Sequence, residues 1–120
     1  MNRILNWGKI NSIEDGCGGL IYKVLDIGNS ELKNIEIAMC IFKPEEISKL
    51  HYHKIIEEIY FVIDGEGEIE LDGKWEKIKT EDCIAIPIGV RHRIKNVSKE
   101  KHLKFLSINS PHWEVGDMIT

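Results

Sequence analysis

No apolar run in these 120 residues comes near the roughly 20 that a membrane-spanning helix needs, so no membrane partner is expected. The opening stretch, Met1-Asn2-Arg3-Ile4-Leu5-Asn6-Trp7-Gly8, lacks the apolar segment of a secretory signal. Basic side chains are outnumbered: 16 Lys and Arg against 20 Asp and Glu give a net charge of −4 at pH 7. Nucleic acid and anionic membranes both call for clustered Lys and Arg, so neither is an expected partner. Cysteine is scarce and odd in number. Cys17, Cys40 and Cys83 are too widely spaced for a disulfide framework or a Cys-based zinc site, and they fit a reducing cytoplasm. Also missing is any ten-residue stretch with a clear 3.6-residue apolar period and caps; Glu45–Leu50 is too short. There are no repeats, linkers or low-complexity segments, and the 42% apolar and 30% charged content is ordinary for a globular chain. One domain is expected over 1–120, with an N-terminal arm at about 1–19, a core at about 20–110 and a C-terminal tail at 111–120.

What the sequence does contain is short apolar alternation broken by glycines and polar clusters about every ten residues. Strands are expected at 20–25, 35–42, 59–63, 68–71, 75–79, 84–86, 92–96 and 103–108. Asp72-Gly73 reads as a two-residue hairpin turn, because both central residues of that turn take positive φ. About eight short antiparallel strands with little or no helix give an all-β closed barrel or double-sheet jelly roll. Alternation assigns Ile37, Met39, Ile41, Val62, Ile69, Ile84, Ile86 and Ile94 to the interior, with Tyr60 as the clearly polar member. It leaves Ala38, Cys40 and Phe42 outside, where with Trp7 they would form an apolar patch and favour a homodimer. Cys40 and Cys83 read as small buried hydrophobes on their strands.

Three of the five histidines carry the chemistry. His51 and His53 are two apart, so on a strand both rings leave the same face and can converge on one ion. Glu57 and Glu58 follow, then a strand and Gly65. Much later, Pro87-Ile88-Gly89-Val90-Arg91-His92 delivers another imidazole onto a new strand.

These residues resemble the cupin superfamily. Its first motif reads here as His51-Tyr52-His53, four residues, Glu58, six residues, Gly65, and its second as Pro87-x-Gly89-x-x-His92-x-x-x-Asn96. The glycines expected six residues before His51 and before Pro87 are replaced by Glu45 and Glu81, a strained choice if φ is positive there. The resemblance implies a double-stranded β-helix (jelly-roll) barrel holding one divalent transition metal through His51, His53, Glu58 and His92. Three imidazoles and a carboxylate suit Fe, Mn, Ni, Co, Cu or Zn alike. Unbroken alternation from His53 reaches Glu57, whereas the family spacing selects Glu58, which requires a register break across 54–57.

The expected function is a metal-dependent enzyme acting on a small oxygen-bearing molecule inside the barrel, dioxygenase-like ahead of isomerase or lyase. The alternative is a non-catalytic binding or sensing module with a bound metal. Tyr60 is the candidate catalytic side chain, its phenol free to face a substrate or to be satisfied within the core. Asn96 reads equally as a turn residue satisfying backbone groups, and Arg91 and Arg93 should point away from the interior. His102 and His112 fall in a charged loop and in the tail.

Overall fold

The computed structural model describes residues 3–14, 18–112 and 116–120; Cys17 and Trp113 lie outside them. Ten strands are present: β1 (Leu20–Leu25), β2 (Glu36–Phe42), β3 (Tyr52–His53), β4 (Glu57–Asp64), β5 (Glu66–Leu71), β6 (Lys74–Lys79), β7 (Cys83–Ile86), β8 (His92–Asn96), β9 (Leu103–Ser110) and β10 (Met118–Ile119). All eight expected strands form. The two extra ones, β3 and β10, are two residues each and too short to carry a pattern. The single helical element among the described residues is a 3₁₀ turn at Trp7–Lys9, capped by Asn6.

Two layers result. One is a five-stranded sheet in the order β1-β2-β9-β4-β7, antiparallel throughout. The other begins with β6-β5-β8 and continues irregularly. Backbone bonds from Ser48 N to Ile94 O and from Asn96 N to Glu46 O, both 2.9 Å, lay residues 46–53 along β8. β3 in turn pairs with β10, so the segment first read as a tail becomes the far edge of this layer. No regular ladder closes the two layers into a continuous barrel among the described residues. The fold is the double-sheet jelly roll.

Val62, Ile69, Ile84, Ile86 and Ile94 face between the layers as expected, packed with Phe42, Phe105 and Leu103. Each such side chain contributes about 1.5–3 kcal/mol by leaving water. β2 is turned the other way from the expectation. Glu36, Ala38, Cys40 and Phe42 point inward, with Cys40 and Phe42 in the core and the Phe42 ring 5.5 Å from Phe105. Ile37, Met39 and Ile41 therefore alternate to the opposite face, where Met39 is nonetheless buried at 6% exposure, and the expected patch of Ala38, Cys40 and Phe42 does not exist. Trp7 packs edge-on against Tyr22 of β1 instead. The alternation misled because both faces of β2 are apolar. The outer face of the large sheet continues from Ile37 and Met39 through their cross-strand partners Ile108 and Leu106 to Ile59 and Phe61. Cys83, expected to be buried, is exposed on that same outer face, opposite Phe61.

The turns follow their local chemistry. Asp72 (φ 48°) and Gly73 (φ 85°) both adopt the positive φ that their hairpin requires. Glu45 (φ 65°) and Glu81 (φ 79°) occupy the left-handed region where the resemblance placed glycine. A side chain with a Cβ costs about 1–2 kcal/mol in that region. Glu81→Gly should therefore raise stability by about 1 kcal/mol, roughly 4 °C in Tm. Glu76→Gly, inside β6, should lower it by about 0.5–1 kcal/mol. Thermal melts showing equal losses at both positions would contradict this account.

Candidate metal centre

The two chain segments that hold the centre are joined back to back. His51 N bonds His92 O at 3.0 Å and His92 N bonds His51 O at 2.8 Å, a reciprocal antiparallel pair. Residues paired this way put their side chains on one face, so both imidazoles enter the interior with ring centroids 4.2 Å apart. His53 arrives two residues on, from the same face.

The chain then leaves regular alternation. The amides of Lys54, Ile55 and Ile56 all donate to the carboxylate of Asp117, at 3.1, 2.7 and 3.3 Å. This gathering of three consecutive N–H groups makes the register break, and β4 starts one residue out of phase. Glu58 consequently turns inward, 7% exposed, while Glu57 is exposed. The structure brings His51, His53, Glu58 and His92 together, one donor atom of each lying within 4.8 Å of the others.

All three rings are oriented through Nδ1. His51 Nδ1–H donates to Lys49 O (2.7 Å) and His92 Nδ1–H to Val90 O (2.9 Å). His53 Nδ1–H donates to Asp117 Oδ2 (3.2 Å). Carbonyl and carboxylate oxygens only accept, so Nδ1 carries the proton and Nε2 of the neutral ring offers a lone pair. Glu58 Oε1 lies 3.1 Å from His92 Nε2 and 3.3 Å from His53 Nε2. Its other oxygen accepts from the Ser107 hydroxyl at 3.0 Å. Glu58 Oε1 and His92 Nε2 are buried and have no hydrogen-bond partner. Two lone pairs of buried atoms face each other, an arrangement that a proton or a cation must resolve. The donor set therefore fits a divalent ion, held through three Nε2 atoms and a carboxylate oxygen.

The electrostatics agree. Burial alone would push Glu58 up, but the His53 and His92 rings beside it outweigh this and bring it down to about 2. Burial, then the neighbouring His92, depresses His51. Burial also works against charged His53, but Glu58 and Asp117 overcome it and lift its pKa above the ordinary value.

The centre opens onto a cavity of about 240 Å³, walled by Ile21, Cys40, Phe42, Ile94 and Phe105, with Tyr60, Ser107, Asn109 and Glu36 as polar lining. Tyr60 packs its ring against His92 and Phe105, with centroids at 6.0 and 4.7 Å. Asn96 stands apart from the centre. Its amide donates to Phe42 O and Lys101 O, which settles it as a backbone-satisfying residue. Arg91 lies over the Tyr52 ring and Arg93 over Trp75, both on outer surfaces. His102 is exposed, and His112 sits at the surface near Lys33.

Sequence reasoning missed Asp117, Glu36, Ser107 and Asn109. Ser107 and Asn109 extend the period-two run of Leu103 and Phe105 along β9, a signal that was there to be read. Asp117 has none, since only the pairing of β10 with β3 brings it 64 residues back to His53. A carboxylate behind a ligating imidazole typically accounts for about 10–100-fold in metal affinity. Calorimetry should therefore show Asp117→Asn binding metal about 10–100-fold more weakly, and Glu58→Gln losing far more metal than Glu57→Gln. Equal behaviour of the two glutamate variants would contradict the assigned register.

Comparison with known proteins agrees with the geometry. A polyketide synthase, CurC, of Streptomyces cyaneus is 35% identical over 65 residues, covering 54% of this chain and 42% of that protein. Acireductone dioxygenase of Candida albicans is 30% identical over 79 residues, covering 60% of this chain and 44% of the enzyme. The chain thus spans less than half the length of these two relatives. A solved structure described as a predicted oxalate decarboxylase from Thermotoga maritima superposes with a TM-score of 0.79 at 25% identity, covering 91% of this chain and 99% of that one. Residues 38–109 match the family described as Cupin domain, and the chain belongs to that family.

Proposed function

We propose that this protein is a metal-dependent enzyme that acts on a small oxygen-bearing molecule in the cavity between its sheets. The observation that carries this reading is the pair of buried, unpartnered donors, Glu58 Oε1 and His92 Nε2, in a donor cluster that lines the cavity. His51, His53, Glu58 and His92 would hold the ion. Four protein donors leave one or two positions open, where a purely structural site would be closed. Bound there, the ion supplies Lewis-acid polarisation of a substrate oxygen and, in the case of iron, a route to O₂. Asp117 and the carbonyls of Lys49 and Val90 keep each Nε2 aimed inward. The cavity lies below the usual range of about 300–1,000 Å³ for drug-sized ligands, which selects a small molecule. Tyr60 would present its phenol to that molecule. The largely apolar wall favours a second reading, a ligand-binding module without turnover, in which Tyr60→Phe weakens binding and no product forms. The free, exposed thiol of Cys83 suits a reducing, cytoplasmic setting.

The centre should couple metal to stability, because its ligands come from separate strands and meet only in the folded chain. At a hundredfold excess over Kd, linkage adds about 2.7 kcal/mol, or on the order of 10 °C in Tm. The pH dependence has a definite sign. His53 has a raised pKa in the metal-free protein, so its protonated form stabilises that state fully below 6.5 and ceases to as pH rises through the raised value. The metal takes the proton's place, so its contribution grows as pH rises and fades below about pH 6. Melts with and without chelator should differ at about pH 7.5 and converge at about pH 5.5. Coincident melts at the higher pH, in protein shown to have lost its metal, would sink the stabilising site.

We also propose that two copies pair through the outer face of the large sheet, where Ile59 and Ile63 are 42% and 37% exposed. The face spans roughly 20 by 25 Å from strand spacing and rise, on the order of 500 Å². That approaches the ~600 Å² per partner of small stable interfaces. Light scattering should give about twice the chain mass of 13.8 kDa, with Ile59→Lys reverting it to the single mass. A wild-type mass of one chain would refute the dimer.

A further inference from the structure

A carboxylate can bind an ion through one oxygen or through both. The last torsion of a glutamate has no steep preference of its own, so a partner decides which oxygen turns where. For Glu58 that partner is Ser107, on the inner face of β9. Its cross-strand neighbour on β4 is Tyr60, while Glu58 lies opposite Asn109, so Ser107 reaches Glu58 along the diagonal of the ladder. The Ser107 hydroxyl has two acceptors in range, Glu58 Oε2 at 3.0 Å and Asn109 Oδ1 at 3.4 Å. It carries one hydrogen, and the nearer, charged oxygen takes it. On β2 its cross-strand neighbour is Ala38, whose methyl group offers no competing acceptor. Ser107 and Glu58 are both 7% exposed, which shields the bond from bulk water. With Oε2 held by β9, Oε1 is the oxygen left facing His53 Nε2 and His92 Nε2, at 3.3 and 3.1 Å. It is also the one without a hydrogen-bond partner. The two oxygens are thus unlike, and the hydroxyl makes them so.

We propose that Ser107 is a positioning residue that restricts Glu58 to one oxygen and thereby sets how many positions the metal centre leaves open. This deepens the metal-centre reading above and rests on it. Three imidazole nitrogens and one carboxylate oxygen make four donors, so a six-coordinate ion such as Mn²⁺ keeps two positions for water or a small molecule. A released Oε2 would turn to the same ion as a fifth donor and leave one. A buried carboxylate oxygen stripped of its donor is costly, and the cation is the group at hand to satisfy it. Ser107 therefore acts on the ion through Glu58, without touching it.

The experiment uses the full chain loaded with Mn²⁺ and measures how strongly the bound ion relaxes water protons, a signal proportional to the number of exchangeable waters on it. Electron paramagnetic resonance of free Mn²⁺ gives the occupancy of the same samples. At equal occupancy, Ser107→Ala should relax water about half as strongly as the wild type, the ratio of one open position to two. A packing defect alone would lower the melting temperature and leave the relaxation per bound ion unchanged. Ser107→Thr and Ser107→Val repeat the test at matched shape, because Ser107 lines the cavity and an added methyl group has room there. Thr keeps the hydroxyl and should relax water as the wild type does, whereas Val should match Ala. Equal relaxation in Ser107→Ala and wild type, or in Ser107→Val and Ser107→Thr, would overturn the role of Ser107 and leave the centre standing. Failure of the wild type to hold Mn²⁺ would overturn the centre itself, and this proposal with it.

Discussion

The reciprocal backbone pair between His51 and His92 is the constraint on which the centre depends. The stretch 46–53 makes almost no regular strand, yet its bonds to β8 fix it to the second layer as firmly as a ladder would. Backbone pairing of this kind transmits no sequence preference of its own. It explains why His51 and His92 can lie 41 residues apart and still place their rings 4.2 Å from each other. β8 is gripped by β5 on one side and by residues 46–53 on the other.

A second constraint is electrostatic. Three imidazoles and two carboxylates, Glu58 and Asp117, are almost fully withdrawn from water. Asp117 is satisfied by three amides and a ring N–H, so its charge is spread over donors that cannot leave. Glu58 has one such donor, Ser107, and its second oxygen faces the Nε2 atoms. The two acids therefore divide the work. Asp117 shapes the polypeptide and aims His53, while Glu58 keeps a lone pair turned inward at the cost of burial without a full set of partners. Without a cation the same geometry traps protons, and this is why His53 is raised and Glu58 is lowered in tandem.

Most of the architecture was legible because short strands with polar punctuation leave a strong period-two signal, and His92–Asn96 was placed to the residue. The convergence of His51, His53, Glu58 and His92 was legible from the resemblance to the family's two motifs, which selected Glu58 where plain alternation reached Glu57. The orientation of β2 was not. Alternation discriminates only when one face is polar, and Ile37, Met39 and Ile41 compete on equal terms with Ala38, Cys40 and Phe42. The one discriminating residue, Glu36, pointed the wrong way, because a buried carboxylate reads as an exposed one. Asp117 was illegible for a different reason. Its role arises from a two-residue strand pairing, and strands that short have no periodicity.

The same division separates what the family supplies from what this chain adds. Residues 38–109 contain His51, His53, Glu58 and His92, all of the proposed ligands. Glu36 and Lys23 precede that stretch, and Asp117 and Met118 follow it, yet each reaches the cavity or the centre. β1 with the start of β2 supplies one wall, and β10 supplies the carboxylate behind His53. The matched stretch holds the whole donor cluster and, through Tyr60, Ser107 and Asn109, part of the polar lining of the cavity. The flanking strands add Lys23, Glu36 and Met118 to that lining. In the proposed function, β1, β2 and β10 therefore complete the cavity around a centre that residues 46–53, β4 and β8 hold in place.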